Sequence, residues 1–481
     1  MNDLTPLPKD TEQFRDHIAT VDERGKRIWI YPKKPKGYYY NIRSILSWIL
    51  LAFLFGMPFI KLNGDPFMLF NILERRFIIF GIHFMPQDFY LFVIAMLILI
   101  VFIVLFTVVF GRLFCGWVCP QTIFMEMVFR KIEYWIEGDA NAQKRLNNAA
   151  WTTDKIIKKV SKQAIFFGIS VLIANTFLAY IISMDEVIRI VTEPVSEHWV
   201  GFIAMIVFSF VFYFVFSYMR EQVCIAICPY GRLQSVMLDK DSIVVAYDFV
   251  RGEPRGKIKK SRNKTDAEET PVVQLKQNFG DCIDCSLCVQ VCPTGIDIRN
   301  GTQLECVNCT ACMDACDEVM LKIGREKKLI RYDSLNGIEQ GRKKLWTPRV
   351  MAYSGVLSVL VVLEVFLFAL RSDVETLMLR TPGLLFQEVN ETTISNLYNY
   401  QVINKTSNEY PIEFRLETEY GEIKLVGDAP VVKKNDIAKG GLFIEMPKDQ
   451  LKSGKNKISI GVYSNGKLID KVQTSFLGPI K

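Results

Sequence analysis

Cysteine is missing from the chain before Cys115 and again after Cys316; all twelve lie between those two positions. No disulfide can therefore staple the C-terminal stretch, whose fold must rest on packing alone. Histidine is scarce, with three residues in 481. His17 lies in a polar arm with no partner in view. His83 and His198 fall in loops between apolar runs and read as interfacial polar residues, the alternative being a paired metal site or a quinone-side position. The first forty residues are charged and lack an apolar core, so no cleavable signal peptide is expected. Charge of one sign is not in large excess. The formal net charge is +7, and the basic residues gather beside hydrophobic runs, an arrangement that calls for a membrane and not for nucleic acid.

Half of the residues are hydrophobic and the mean hydropathy is +0.18, high for a soluble chain. Five runs are long enough to cross a bilayer: 44–62, about 91–110, 163–183, 200–219 and 350–370. Lys and Arg crowd the N-terminal arm, the 112–162 segment and the 220–349 segment. The 184–199 loop has Arg189 alone against Asp185, Glu186, Glu193 and Glu197. The positive-inside rule then puts the arm and the cysteine-rich segment in the cytoplasm, and everything after about Arg371 outside. The Met and Phe residues of the spans read as lipid-facing or packing groups.

The most informative stretch is 282–317. Cys282, Cys285, Cys288 and Cys292 follow C-x2-C-x2-C-x3-C, with Pro293 after the last; Cys306, Cys309, Cys312 and Cys316 repeat the spacing, with Asp317 in the proline's place. A cubane iron–sulfur cluster takes three thiolates from one tight loop and the fourth from the opposite half of such a repeat. This spacing assigns Cys282, Cys285, Cys288 and Cys316 to one 4Fe-4S cluster and Cys306, Cys309, Cys312 and Cys292 to another. Zinc modules usually pair two C-x2-C knuckles instead. A reducing compartment disfavours disulfides.

The remaining cysteines form a second repeat. FCGWVCP holds Cys115 and Cys119, and VCIAICP holds Cys224 and Cys228, each C-x3-C-P following a span. Pro120 and Pro229 suit the first position of a helix, which places Cys119 and Cys228 at helix N-termini where the thiolate is favoured. Such thiolates are redox-active groups or soft-metal ligands selecting Cu(I), zinc or iron–sulfur centres. The bland reading is small apolar residues in helix packing. Spacing leaves open whether the four hold one shared centre or two dithiol sites.

Residues 239–280 are rich in Lys, Arg, Glu, Gly and Pro and read as a solvated linker. In the tail, short alternating runs separated by turns such as Ser464-Asn465-Gly466 predict an antiparallel sandwich of immunoglobulin-like type. It carries no catalytic constellation and reads as an interaction or spacer domain. The expected organisation is an arm over 1–42, a four-span membrane domain over 43–238, the linker over 239–280, a two-cluster ferredoxin module over 281–345, a fifth span over 346–371 and the β-sandwich over 372–481.

GRLFCGWVCPQTIF at 111–124, YDFVRGEPRG at 247–256, the cassette at 282–316, LIRYDSLNG at 329–337 and NLYNYQVINKT at 396–406 together resemble the FixG/RdxA (CcoG) family of membrane-bound polyferredoxins over nearly the whole chain. Asp317 departs from the common Cys-Pro ending but leaves the ligands intact. The resemblance implies a bacterial inner-membrane protein acting in assembly of cbb-type cytochrome c oxidase by reducing Cu(II) to Cu(I). Its implied partners are oxidase assembly factors, copper chaperones and a cytoplasmic or quinol electron donor. Cys115, Cys119, Cys224 and Cys228 become the candidate redox and copper residues. Two other readings stand beside it. One is a quinol- or quinone-linked electron-transfer subunit of the NapH or NosR type, whose families share the cysteine motifs but lack the sandwich. The other is a non-enzymatic, redox-sensing assembly scaffold.

Overall fold

The computed structural model describes residues 20–479, apart from 23, 25, 63, 73–75, 86–87, 258–278, 342–343, 384, 407, 419 and 452–453. His17 and half of the expected linker, residues 258–278, lie outside the described residues. The chain forms two compact units, Met1–Pro58 with Met96–Val361, and Phe59–Ala95 with Val362–Lys481.

Five helices are long and apolar enough to span a membrane: Tyr38–Phe59, Phe89–Phe110, Thr153–Ile182, Trp199–Met219 and Pro348–Ala369. Two of them, the first and the third, begin well before the hydropathy expectation, and the others within about two residues of it. The third starts at Thr153 because Thr152 Oγ1 accepts a hydrogen bond from the Lys155 amide and caps two polar turns that hydropathy does not detect. The first starts at Tyr38 because Asp314, far along the chain, accepts from the Tyr39 and Tyr40 amides at 3.1 and 2.8 Å. A carboxylate there satisfies orphan amides and complements the helix dipole. The 184–199 segment is not wholly loop: Met184–Thr192 is a helix that begins after Ser183.

The ferredoxin-type segment folds within the first unit. Residues 239–280 are more than a linker, for Val244–Tyr247 pairs antiparallel with Ile330–Asp333. Val245 and Tyr247 are buried in one apolar cluster with Cys282, Cys288, Met313 and Met320. The strand's own sequence, VVAY, carries the signal; the charged residues that follow it dominate the composition of the stretch.

The second unit is the β-sandwich. One sheet orders Glu422–Leu425, Ile437–Pro447, Thr393–Asn404 and Val374–Arg380, with Gln387–Glu388 beside Thr393–Asn404; the other orders Glu413–Leu416, Lys455–Ser464 and Lys467–Leu477. Alternate residues point inward, and Ile394, Tyr398, Val402, Leu442, Ile444, Ile460, Val462 and Phe476 close the core with no exposed surface. Asn465 and Gly466 take φ of 48° and 80°, the left-handed pair that a two-residue hairpin requires. The region between the first two spans, expected as a loop, contributes a three-stranded sheet of Met68–Asn71, Arg76–Ile79 and Ile82–Phe84 to this unit. His83 there meets Asn435 at 3.0 Å and Asp65 at 3.3 Å, while His198, in the first unit, pairs with Glu193.

Asp88 is 1 % exposed and lies between Lys405 (2.6 Å) and Arg371 (2.9 Å). Burial alone would raise its pKa, but the hydrogen bonds from Lys405 and Arg371 prevail and hold the carboxyl below its usual range. A depressed folded pKa contributes stability above the unfolded value of about 3.9 that is lost as pH falls through the folded one. Asp88→Asn takes the shared anion from part-buried Arg371 and from Lys405, which keeps Glu375 at 2.9 Å, and is expected to cost about 1.5–3 kcal/mol. The check is chemical unfolding of the full chain in detergent; the variant's deficit should shrink below about pH 4.

Candidate metal centre

Each half of the cysteine repeat wraps its loop through left-handed residues at matching offsets. Asp284 and Ser286 have φ of 52° and 56°, and Asn308 and Thr310 have φ of 54° and 65°. For β-branched Thr310 this is an unfavourable conformation that only a demanding environment maintains. Alternation of right- and left-handed residues turns successive amides toward one side, a concavity suited to an anionic group. Short helices, Leu287–Gln290 and Ala311–Lys322, follow the two loops and carry Cys288 and both Cys312 and Cys316.

Two pockets result. One is lined by Cys282, Cys285, Cys288 and Cys316, with Tyr247, Arg299 and Met320 around them. The other is lined by Cys292, Cys306, Cys309 and Cys312, with Cys288 also on its wall. Arg299 bridges Asp297 (2.7 Å) and Asp284 (2.6 Å) beside the first cavity and ties its loop down. Burial pushes the Cys288, Cys306 and Cys316 thiols up to about 12 and Cys309 to about 11. Buried thiols of this kind give up their protons to a metal core and to little else. Four sulfurs around each apolar cavity fit a cubane, which would be held by these cysteines and would supply single-electron carriage.

Around the C-x3-C-P motifs, Cys119 and Cys228 are the N-caps of helices opened by Pro120 and Pro229. Wide π-helical turns follow the first motif at Ile123–Phe129, precede the second at Val215–Met219 and, at Val223–Ile227, carry its Cys224, a distortion that often marks functional positions. The motifs interlock. Cys115 Sγ donates to Gln234 Oε1 at 3.4 Å, on the helix after the second motif. Gln121 Nε2, on the helix after the first, donates to the Arg220 carbonyl at 3.5 Å. Buried Glu133 pairs with Arg220 and with Lys162 (3.4 Å). Burial pushes Cys115 up to about 11 and Cys224 to about 12, and each is raised further by other cysteines of the quartet, so the four thiols lie in one neighbourhood.

This quartet abuts the ferredoxin segment. A side chain at Gly116 would sit 2.9 Å from the Asn308 carbonyl oxygen and closer still to that of Val307, in the loop between Cys306 and Cys309. Buried Arg112 donates to the Leu304 and Gly231 carbonyls, joining both motifs to the second ferredoxin loop. Trp117 Nε1 donates to Tyr332 (3.0 Å), whose hydroxyl donates to the Asn308 carbonyl (3.2 Å). Sequence reasoning did not single out Arg112, Gly116, Asn308 or Tyr332, although the quoted stretches at 111–124 and 329–337 contain three of them. Among the described residues, one trio of ligand side chains converges within 4.8 Å, Glu193, Glu197 and His198; no trio of cysteines does.

Comparison with known proteins agrees with this arrangement. Residues 219–335 match the 4Fe-4S dicluster domain, 92–138 a 4Fe-4S binding domain, and 365–479 the IG-like fold at the C-terminal of FixG. Protein RdxA of Cereibacter sphaeroides is 33% identical over 416 residues, covering 82% of each chain. The chain belongs to the FixG/RdxA family. Protein RdxB of the same organism is 33% identical over 82% of this chain and 83% of its own length. Nitrogen fixation protein FixG of Rhizobium meliloti is 37% identical over 321 residues, which span 65% of this chain and 58% of FixG. A solved FixG-related protein from Vibrio parahaemolyticus overlaps 22% of the chain and 97% of its own at 19% identity, with a TM-score of 0.19. This chain is thus a membrane iron–sulfur electron-transfer protein with an immunoglobulin-like C-terminal domain.

Gly116→Ala tests the packing of the quartet on the ferredoxin loop. The added methyl is expected to force the two loops apart at a cost of about 1–3 kcal/mol. A lowered midpoint of cluster loss on heating, read from the visible absorbance of the anaerobic protein, would register it.

Proposed function

We propose that this chain reduces Cu(II) to Cu(I) for insertion into a cbb-type cytochrome c oxidase. The observation that carries the reading is the seat of the Cys115-Gly116-Trp117 loop directly on the Val307-Asn308 backbone, beside Cys306 and Cys309. Cys282, Cys285, Cys288 and Cys316 hold one 4Fe-4S cluster, and Cys306, Cys309, Cys312 and Cys292 the other. A donor in the cytoplasm supplies electrons singly. Cys115, Cys119, Cys224 and Cys228 form the exit at the membrane surface, where the substrate Cu(II) takes one electron and becomes Cu(I).

The chain's residues serve this by position. Arg112 and Gly116 keep the exit against the second ferredoxin loop, and Glu133, Arg220 and Lys162 brace the helices that carry the two C-x3-C-P motifs. The N-terminal arm and cluster segment face the cytoplasm of a bacterial inner membrane, and the β-sandwich faces the periplasm, where it meets copper chaperones or oxidase assembly factors. The Lys and Arg distribution beside the spans supports that sidedness.

Replacing Cys115, Cys119, Cys224 and Cys228 together by serine is expected to reduce Cu(I) formation, trapped by a Cu(I)-specific chelator, to the protein-free background. The eight ferredoxin cysteines should still carry their iron. Cu(I) formation at the wild-type rate in that variant would refute the exit.

A further inference from the structure

We propose that Cys115, Cys119, Cys224 and Cys228 together ligate a third iron–sulfur cluster, of the four-iron kind, shared between the two C-x3-C-P motifs. The inference deepens the functional reading above by naming what resides at the exit.

Three observations carry it. The first is that the motifs make one site. Cys115 bonds across to Gln234, Gln121 bonds across to Arg220, and Arg112 reaches the Gly231 carbonyl. A side chain at Gly231 would lie 2.5 Å from the Cys224 carbonyl and 3.9 Å from the Cys228 Cβ, so this turn closes on itself with no room to spare. A motif built to work alone would not need its partner's helix to satisfy its first cysteine.

The second is the spread of the sulfurs. A single soft ion held by three or four thiolates, with metal–sulfur bonds of about 2.3 Å, brings its ligand atoms to roughly 4 Å of one another. Among the described residues no three cysteine sulfurs approach within 4.8 Å. The eight ferredoxin cysteines serve as an internal reference, because they too surround a polynuclear group and they too fail that test. The quartet, like the eight, lacks the close sulfur spacing of a lone-ion site.

The third is the comparison. The 4Fe-4S binding domain matched over 92–138 takes in Cys115 and Cys119 and none of the eight cassette cysteines. It therefore points to iron and sulfide at the first motif independently of the dicluster match. The surroundings suit an anionic group, with Cys228 at the N-terminus of the Pro229–Met237 helix and the buried Arg112 guanidinium bonded to the Gly231 carbonyl in that helix.

The test is the iron and acid-labile sulfide content of the full-length protein, purified anaerobically, beside Cys115→Ser/Cys119→Ser and Cys224→Ser/Cys228→Ser. The expected count is about 12 irons per chain for the wild type, four per cubane. Each double variant alone should fall to about 8, because half of a shared ligand set cannot hold the cluster. The dithionite-reduced EPR signals of the two ferredoxin-type clusters should persist in both. A wild-type count of about 8 overturns the proposal, and it needs no variant to fold. A count of about 10 overturns the four-iron assignment in favour of a two-iron centre. Loss of iron from only one of the double variants overturns the shared site. If the count is about 8 and Cu(I) formation still requires the quartet, the copper reading survives without the third cluster. If it is about 12 and no Cu(I) forms, the cluster stands and the copper reading falls.

Discussion

The organisation of the first unit depends on one close approach, that of Gly116 to the backbone of Val307 and Asn308. Any side chain at 116 would separate the two loops. Without one, the membrane-surface cysteines and the second ferredoxin loop share a wall. Arg112 fixes the same wall from the other side through the Leu304 and Gly231 carbonyls, and Trp117, Tyr332 and Asn308 close it with two hydrogen bonds. Electron transfer needs proximity more than it needs any catalytic side chain, and this packing supplies it. Asp314 adds a second anchor: placed on the helix that carries Cys312 and Cys316, it caps the first spanning helix and so joins the ferredoxin segment to the membrane part.

Many of the buried charges stand in ion pairs. Glu133 and Glu137, both deeply buried, are matched by Arg220, Lys162 and Lys159, and Arg130 lies between Glu126 and Glu221. Buried pairs of this kind add little net stability over an apolar core. Their geometric demand is their use here, since they hold the helices after the first motif to the turn before the second. In the other unit Asp88, Arg371 and Lys405 join the region between the first two spans to the sandwich.

Much of this was legible in the sequence, for local reasons. Apolar runs announced five spans, alternation announced the sandwich strands, and Asn465-Gly466 announced its hairpin, because each signal is written in adjacent residues. The two C-x3-C-P motifs announced their helix N-caps through Pro120 and Pro229. What could not be read depends on residues far apart in the chain. The Asp314 cap on Tyr39 and Tyr40, the interlock of Cys115 with Gln234, and the seat of Gly116 on Asn308 are all products of folding. The early start of the third span escaped hydropathy because its first turns are polar. The strand at Val244–Tyr247 was hidden by the charged composition that follows it. The left-handed Thr310 breaks a local preference, and such breaks gather where a site demands them.

The central claim is that electrons held by this chain reach Cu(II) and emerge as Cu(I). It is tested most directly by reducing the anaerobic full-length protein, removing excess reductant and mixing it with Cu(II) in a stopped-flow cell. Reoxidation of the iron–sulfur absorbance at about 400 nm is followed while Cu(I) is trapped by a chelator. The account predicts reoxidation matched one for one by Cu(I). Protein that stays reduced with Cu(II) but is reoxidised by quinone analogues would contradict it and make the chain a quinone-linked carrier.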